Sequence, residues 1–267
     1  MPKSSQHSTL SAQRLKHDSA AYLEKKKFFE KVLTIYGRNA VLEALEDPSV
    51  TVYKLHFSKS NKPAPVLKQM EAIAKQRGID VAYHDKAALS RISKNAKQDQ
   101  GVALDIVLEH FGNEEDFLSK NASYRILALD GITNPQNLGM IIRSAAAGNI
   151  DAIILPTKGA AQISPLVIKA SVGTLFKMPI IKTSDLAKTL QHFKAEGADL
   201  YTLSSHAKKS YKEQHYSGKT IFVLGNESEG VSKKVEALCN ESIAIPMKRG
   251  VESLNVAVTA SLLAFLE

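Results

Sequence analysis

Apolar and polar residues alternate along most of the chain in a rhythm that predicts strand, loop and helix in repeated succession. The clearest example follows the apolar run Ile126 to Leu129, where an Asp130-Gly131 turn leads into a polar loop, Thr133 to Asn137. Apolar residues then return at helical spacing. Because ligands of open parallel α/β sheets bind beyond the carboxyl ends of strands, this loop is a candidate site.

The first folded unit is predicted to be a small α/β domain that spans residues 32–108. The runs that predict strands are Val52–Ser58, Ile79–Tyr83 and Val102–Val107. The segments that predict helices are Pro63–Arg77, Lys86–Ile92 and Ile35–Asp47, the last of which begins with a turn.

Residues 124–267 continue the alternation, which predicts a mostly parallel sheet with helices on both faces. The predicted strands are Arg125–Leu129, Ala152–Leu155, Ile180–Lys182, Leu200–Leu203, Thr220–Leu224 and Ser242–Ile245. The predicted helices are Leu138–Gly148, Pro165–Ala170, Asp185–Glu196, Ser232–Cys239 and Leu254–Leu266. Residues 109–123 are polar and acidic and are predicted to be a linker, either a flexible tether or a packed connection.

The chain has 267 residues, a formal net charge of +8 and a sequence pI near 9.3, which favours an anionic partner. Half of that charge lies in residues 1–31, which contain seven Lys or Arg and three acidic residues. Such a segment is typical of a solvated, flexible extension. It favours RNA binding only if the folded part of the chain also indicates RNA.

Composition excludes several classes of site and location. The single cysteine, Cys239, rules out an internal disulfide and a Cys-x-x-Cys site, and the histidines form no His-Glu-x-x-His pair, so no metal site is predicted. The apolar run Val256–Leu266 is shorter than the roughly 18 to 20 residues of a membrane span. The first residues lack the apolar core of a secretory signal. We therefore expect a soluble cytoplasmic protein that binds no membrane.

Three segments of the second unit are more polar and richer in glycine than packing requires, and each follows a predicted strand. They read NPQNLGMIIR at 134–143, LGNESEG at 224–230 and IPMKRGVESLNVAV at 245–258. No Gly-x-Gly-x-x-Gly sequence and no Walker phosphate loop occurs near them. A ligand held by these segments would therefore need another kind of binding loop.

These segments, in this order, resemble the three motifs of the SpoU (TrmH) family of RNA ribose 2′-O-methyltransferases, within the SPOUT superfamily. The first unit resembles the substrate-binding domain that precedes the catalytic domain in many members and is itself similar to RNA-binding ribosomal proteins. The resemblance covers roughly residues 33–267 and leaves the basic extension unassigned.

The resemblance implies a catalytic α/β domain with a deep trefoil knot, a homodimer, and methyl transfer from S-adenosylmethionine to a ribose 2′-hydroxyl. The two-domain arrangement is most similar to the bacterial enzymes that methylate guanosine in 23S rRNA. Two alternatives remain open: a tRNA ribose methyltransferase, and a non-catalytic RNA-binding or ribosome-assembly factor on the same fold.

The resemblance also implies which residues bind the cofactor. Gly225, Ile245 and Leu254 match positions where the family's backbone lines the cofactor pocket, and Leu203 is placed with them. A glycine permits close backbone approach, and aliphatic side chains suit the faces of an adenine. Without the motifs, the same residues would be interpreted as a turn glycine and core aliphatics.

Arg143 matches the family's catalytic arginine, and we expect it to bind a phosphate and stabilise charge on the ribose oxygen. Since a guanidinium stays protonated, it is a poor base. Asn137 is expected to orient Arg143 or the ribose, or to cap a helix. Glu227 is expected to organise the site and is the one acidic motif residue considered as a base. Ser253 and Asn255 are expected near the substrate, or as helix caps.

RNA contacts are expected from basic residues outside the catalytic motifs. The strongest candidates are Arg38, Lys248 and Arg249. Further candidates are Lys59, Lys62, Lys94 and Lys97, several of which would simply be solvated. Phosphate contacts of this kind make RNA binding sensitive to salt.

Overall fold

The computed structural model describes residues 24–25, 28–29, 31–94, 98–108, 111–226 and 228–267. The predicted basic extension, residues 1–31, therefore lies almost entirely outside the described residues, as does Lys97. In the described part of the chain, every helix is too short or too polar to cross a membrane.

The first unit is an α/β domain, as predicted. Its described elements are β1 (Val32–Tyr36), α1 (Arg38–Glu46), β2 (Thr51–Ser58), α2 (Pro65–Gln76), β3 (Asp80–His84), α3 (Lys86–Ser93) and β4 (Val102–Val107). The strand order is β1-β4-β2-β3, in which β2 and β3 are parallel and the other pairs are antiparallel. Strand β1, where a turn was predicted from Ile35, owes its conformation to pairing with β4, a partner far along the chain.

The two faces of this sheet differ in chemistry. Alternate residues such as Ile35, Leu55 and Leu104 are buried against α1 and α2. On the opposite face, Asp105 accepts hydrogen bonds from Thr34 Oγ1 at 2.6 Å and bonds to His56 Nε2 at 3.1 Å. Burial acts to raise the pKa of Asp105, but these hydrogen bonds outweigh it, so the pKa lies below its ordinary value.

The second unit contains an entirely parallel sheet, which confirms the predicted fold class. Its described elements are β5 (Phe111–Gly112), α4 (Glu114–Leu118), β6 (Tyr124–Leu129), α5 (Pro135–Ala147), β7 (Ala152–Pro156), α6 (Pro165–Ser171), β8 (Ile180–Thr183), α7 (Leu186–Ala195), β9 (Asp199–Leu203), β10 (Lys219–Leu224), α8 (Lys233–Glu236), β11 (Glu241–Ile243) and α9 (Val256–Ala264). The strand order is β11-β9-β10-β6-β7-β8-β5. The trefoil knot stays a prediction.

Part of the segment predicted as a linker is packed against the second sheet. Phe111 of β5 pairs with Ile180 of β8 in parallel, and its side chain is buried. Asn113 then caps α4 by accepting a hydrogen bond from Asp116 N at 2.8 Å. Of the two alternatives that composition left open, residues 111–118 therefore form a packed connection.

Helix α5 packs closely against α6 and α9. A Cβ placed on Gly139 would lie 2.5 Å from Ala170 Cβ and 2.7 Å from the Val167 carbonyl oxygen. On the side of α9, the hydroxyls of Ser144 and Ser261 are 2.7 Å apart. Small residues thus allow α5, which carries the first motif, to approach both neighbours.

We expect Gly139→Ala to lower the free energy of unfolding by roughly 1 to 2 kcal/mol. Overpacking costs about 1 to 3 kcal/mol, and the Val167 backbone cannot yield easily, whereas alanine gains only about 1 kcal/mol over glycine in a helix. Urea denaturation measures the change. Gly112→Ala is the control, because a Cβ there meets no atom within 4 Å. A Gly139→Ala protein as stable as the wild type would contradict this packing.

Candidate active site

The candidate site lies where the order in which the chain adds strands to the second sheet reverses. Strands β6 and β10 are neighbours, but the chain leaves β6 toward β7 on one side and leaves β10 toward β11 on the other. In parallel α/β sheets such a switch point opens a crevice beyond the strand ends, and ligands bind there. The second motif segment begins at one of these ends, at Leu224, and the first begins at Asn134, in the loop that follows Leu129.

Hydrogen bonds join the loops that follow β6 and β10. The Asn226 side chain donates to the Gly131 carbonyl oxygen at 2.9 Å, and the Ser232 amide donates to Asp130 Oδ2 at 2.8 Å. The Asp130 amide also donates to the Leu224 carbonyl oxygen at 2.8 Å. The loop after β6 and the loop after β10 therefore form one connected surface.

Gly225 is required by the shape of its own loop. Asn226 and Gly230 exchange backbone hydrogen bonds at 2.9 and 3.0 Å, which folds the loop back on itself. A Cβ on Gly225 would overlap the backbone of Gly230 and Val231. The group that lies close to Gly225 is thus the backbone of its own loop. The contact of Gly225 with a cofactor stays a prediction.

The first and third motifs meet through two asparagine side chains. Asn255 Nδ2 donates to Asn137 Oδ1 at 3.1 Å, although the two residues lie on different helices. Asn137 is only 7% exposed, whereas Asn255 is exposed, so this amide hydrogen bond is partly buried. The structure therefore brings Asn137 and Asn255 together, as a shared site requires.

The interpretation of Asn137 as a helix cap is wrong, because Asn134 caps α5. The Asn134 side chain accepts from the amides of Gln136 at 2.8 Å and Asn137 at 3.4 Å. Asn137 lies inside the first turn, which leaves its side chain available to α9. Asn255, in contrast, caps α9 through the Ala257 amide at 2.9 Å and also contacts Asn137.

Arg143 lies on the exposed side of α5 and is not brought into contact with Asn137. It shares that side with Met140, which is 46% exposed. Its guanidinium forms no hydrogen bond or ion pair with any residue that the structure describes. Glu227 lies outside the described residues, so its expected contacts are not visible. Ser253 is exposed just before α9.

A cavity of about 730 Å³ lies between the loop after β9 and the segment after β11. Its walls are held together by the Ala244 amide, which donates to the Lys209 carbonyl at 2.8 Å, and by the Tyr211 amide, which donates to the Ala244 carbonyl at 2.8 Å. The residues that line it are Ser205, His206, Ala207, Lys208, Ser210, Glu213, Ala244, Ile245, Pro246, Met247, Val251 and Glu252.

Of the four residues predicted to bind the cofactor, only Ile245 lines this cavity. Leu203 and Leu254 are half-buried and lie outside its lining, as does Gly225. Lys248 and Arg249 are exposed beside Met247, where they are accessible to a large anionic partner. Leu203 ends β9, one residue before Ser204, whose amide donates to the Ile243 carbonyl oxygen at 3.0 Å.

The tyrosines that support the loop after β9 are not bases. Burial raises the pKa of Tyr216 to about 12, and its hydroxyl donates to the Tyr211 carbonyl oxygen at 2.6 Å. Burial likewise raises the pKa of Tyr201. Both phenols stay protonated at neutral pH and serve to position the loop. Within the described ranges, no cluster of three metal-ligating side chains is found.

Sequence reasoning gave no role to Asn134 or Asn226, although both lie in the motif segments. Asn134 precedes a proline at the first helical position, Pro135, which is a recognisable signal for a helix cap. The bond from Asn226 to Gly131 joins residues far apart in the chain, and no local pattern indicates it.

Known protein families match both units of this chain. Residues 124–265 match the model of the SpoU rRNA Methylase family, and residues 34–110 match the model described as RNA 2′-O ribose methyltransferase substrate binding. A relative from Xanthomonas axonopodis pv. citri, the 23S rRNA (guanosine-2′-O-)-methyltransferase RlmB, is 32% identical over 86% of this chain and 94% of its own length. The protein of that name from Vibrio vulnificus is 27% identical over 88% of this chain and 95% of its own.

Solved structures share the fold. The SpoU methyltransferase AviRb from Streptomyces viridochromogenes, in complex with the cofactor AdoMet, has a TM-score of 0.61 at 19% identity and covers 97% of this chain and 96% of its own. An AdoMet-bound rRNA methyltransferase from Sinorhizobium meliloti has a TM-score of 0.60 at 22% identity and covers 90% and 88%. With two family models matched in order along the chain, this protein belongs to the SpoU rRNA methylase family.

Proposed function

We propose that this protein transfers a methyl group from S-adenosylmethionine to the ribose 2′-hydroxyl of a guanosine in 23S rRNA. The observation that carries the proposal is the convergence of the three motif segments around one switch point, through the bond between Asn137 and Asn255 and the bond from Asn226 to Gly131. The 23S rRNA methyltransferase relatives, which align with most of this chain, support the substrate. We place the enzyme in the cytoplasm, where rRNA is modified.

The cavity beside Ile245 has the character that S-adenosylmethionine needs. Its volume of about 730 Å³ is typical of small-ligand sites, and Ile245, Met247 and Val251 offer apolar surface for an adenine. Glu213 and Glu252 place carboxylates where a cationic ligand would be stabilised. When bound, the cofactor supplies a methyl group on a positively charged sulfur, which is a good leaving group. Gly225 and Leu203 would complete the site from the ends of β10 and β9, and Leu254 from the segment before α9.

Catalysis would depend mainly on orientation. Orientation of reactants can supply up to roughly 7 to 11 kcal/mol in favourable intramolecular cases. Asn137 and Asn255 act as positioning residues, because their mutual hydrogen bond fixes the starts of α5 and α9 relative to each other. Arg143 remains charged and stabilises the developing negative charge on the ribose oxygen. Glu227 is proposed as the proton acceptor and Ser253 as a substrate contact, both from the motif match alone.

The two units would divide the work. Residues 32–108 would bind RNA, and residues 124–267 would carry the chemistry. The two family models support this division. The substrate-binding model matches residues 34–110, which extends two residues past the end of the first unit, and the methylase model matches residues 124–265, within the second. Arg38 in the first unit and Lys248 and Arg249 in the second are exposed or half-exposed cations that can contact phosphates.

The active form would be a homodimer. One side of α9 is buried in the core, but Val258 is 43% exposed and Phe265 is 59% exposed. With Leu262 and Tyr211, these residues line an apolar groove of about 560 Å³. An exposed apolar strip on the last helix is typical of an interface.

The proposed reaction predicts the loss of a single guanosine 2′-O-methyl mark from 23S rRNA when the gene is deleted. Wild-type protein should restore the mark, whereas Arg143→Ala should lower methyl transfer by at least about 100-fold, because charge stabilisation is lost. Ribose methylation mapping measures the mark and the methyl transfer, and titration with S-adenosylmethionine measures cofactor binding. Lys188→Ala, which removes an exposed cation of α7, is the control.

Other outcomes of that experiment would select an alternative. A mark lost from tRNA would identify a tRNA methyltransferase. No lost mark, together with no cofactor binding at millimolar concentration, would identify a non-catalytic RNA-binding factor. An Arg143→Ala protein with full activity would overturn the role of Arg143.

The bond between the asparagines predicts energetic coupling. Asn137→Ala, Asn255→Ala and the double variant should give a coupling free energy of about 1 kcal/mol, because each single change removes the hydrogen bond that the two side chains share. Urea denaturation supplies the free energies of unfolding. The loss of the α9 cap, which Asn255→Ala also causes, cancels in the comparison of single and double variants. Asn134→Ala is the control, since it should combine additively with Asn255→Ala. Additive effects of Asn137→Ala and Asn255→Ala would contradict the coupling.

The homodimer predicts a light-scattering mass twice the 29.1 kDa of one chain. Val258→Asp combined with Phe265→Asp should give a monomer, because two buried carboxylates would lie at the interface. Tyr83→Asp is the control, because Tyr83 is 52% exposed on the first unit and should leave the mass unchanged. A wild-type protein that runs as a monomer at all concentrations would refute the dimer.

A further inference from the structure

A second cavity lies in the first unit, and the proposed reaction uses none of its residues for chemistry. It has a volume of about 590 Å³ and opens at the edge of the sheet where β1, β2 and β3 end and β4 begins. A cavity of this size is typical of a small-ligand site. Leu89, only 1% exposed, forms an apolar part of its wall.

The cavity carries cations from two separate elements. Arg38 begins α1 and Lys86 begins α3, and both line the cavity. Asp99 is the one acidic side chain among the described residues that line it, and it is 6% exposed. Its carboxylate accepts from Ser93 Oγ at 3.1 Å and from the Gly101 amide at 2.9 Å, so it is directed into the protein. The accessible surface of the cavity is therefore positive.

Arg38 is held in place before any ligand binds. Its backbone amide donates to Gln100 Oε1 at 3.0 Å, and its side-chain Nε donates to the Gln100 carbonyl oxygen at 3.3 Å. These contacts leave the two terminal guanidinium nitrogens without a partner among the described residues. Such an arrangement lowers the entropy cost of gripping an anion.

The loop that holds Arg38 is itself strained. Lys94 and Gln100 adopt φ angles of 55° and 52°, a left-handed conformation that residues other than glycine seldom adopt. Gly101, with φ of 78°, lies so close to the Asn61 amide that a Cβ would collide with it. Strained backbone of this kind concentrates at ligand-binding loops. Here it presents the Gln100 side chain at the cavity.

We infer that this cavity binds one unpaired nucleotide of the RNA substrate. Arg38 and Lys86 would contact its phosphates, and the amides of Gln100 and Asn61 would contact the edge of its base. Asn61 Nδ2 already donates to the Gly101 carbonyl at 2.8 Å, which leaves its amide oxygen to accept. Proteins recognise RNA sequence mainly through unpaired bases, whose edges are free to enter such a pocket. The inference rests on the proposed action on RNA.

The test measures binding of full-length protein to a short, fluorescein-labelled single-stranded oligoribonucleotide of mixed sequence, across a range of salt concentrations. Arg38→Ala combined with Lys86→Ala should weaken binding by about tenfold or more, and should reduce the slope of log affinity against log salt by about 1.4, since each phosphate contact on a single strand contributes about 0.7. A duplex of the same sequence should compete poorly, because its base edges are paired.

The matched control is Lys68→Ala combined with Lys75→Ala, which removes the same charge from exposed positions of α2. It should weaken binding by less than about twofold. Equal losses in the two double variants, or efficient competition by the duplex, would overturn the pocket and leave only a diffuse charge effect.

The failure of the pocket and that of the proposed function are distinguishable. If the Arg38/Lys86 variant alone loses binding of the probe, but wild-type protein neither binds S-adenosylmethionine nor methylates RNA, the proposed function fails and the pocket stands. If it does all three and the Arg38/Lys86 variant still binds normally, the pocket fails alone. Should that variant not fold, a probe carrying 4-thiouridine supplies the answer on wild-type protein. Cross-links within residues 58–61 or 98–101 support the pocket, and cross-links confined to other segments overturn it.

Discussion

Contact between loops that are remote in sequence is the constraint on which the candidate active site depends. Strands β6 and β10 pair directly, and beyond their ends Asp130 and Asn226 continue the connection with side-chain bonds. The bond between Asn137 and Asn255 then ties α9 to α5. Because every one of these contacts is non-local, the site exists only when the second sheet and its covering helices are complete.

Strands β6, β7, β9 and β10 of the second unit could be predicted from sequence because they are largely buried and form mostly apolar runs. Strands β1 and β5 could not, since each is defined by a distant partner rather than by its own pattern. The candidate site shows the same limit. The motif segments were found, but the direction of Arg143 and the exclusion of Leu203 and Leu254 from the cavity depend on packing. Asn134, and not Asn137, caps α5 because the helix begins earlier than its apolar residues indicate.

The chemistry of the two cavities differs in a way that suits their proposed partners. The cavity of the second unit combines apolar side chains with two carboxylates, a lysine and a histidine, whereas that of the first unit has two cations, the buried Asp99 and two side-chain amides. For methyl transfer from a sulfonium, alignment contributes more to the rate than proton transfer does.

The attachment of β5 to β8 has a mechanical consequence. From Val107 at the end of β4 to Phe111 the chain advances by four residues, a path of about 14 Å at most when fully extended. The Phe111 amide shortens that path by donating to the Leu108 carbonyl oxygen at 3.0 Å. A very short connection thus links the end of β4 in the first sheet to β5 at the edge of the second. If the first unit binds one nucleotide, the short connection would limit how far along the RNA the methylated ribose can lie from that nucleotide. This distance, as well as sequence, would then select the ribose that reaches the second unit.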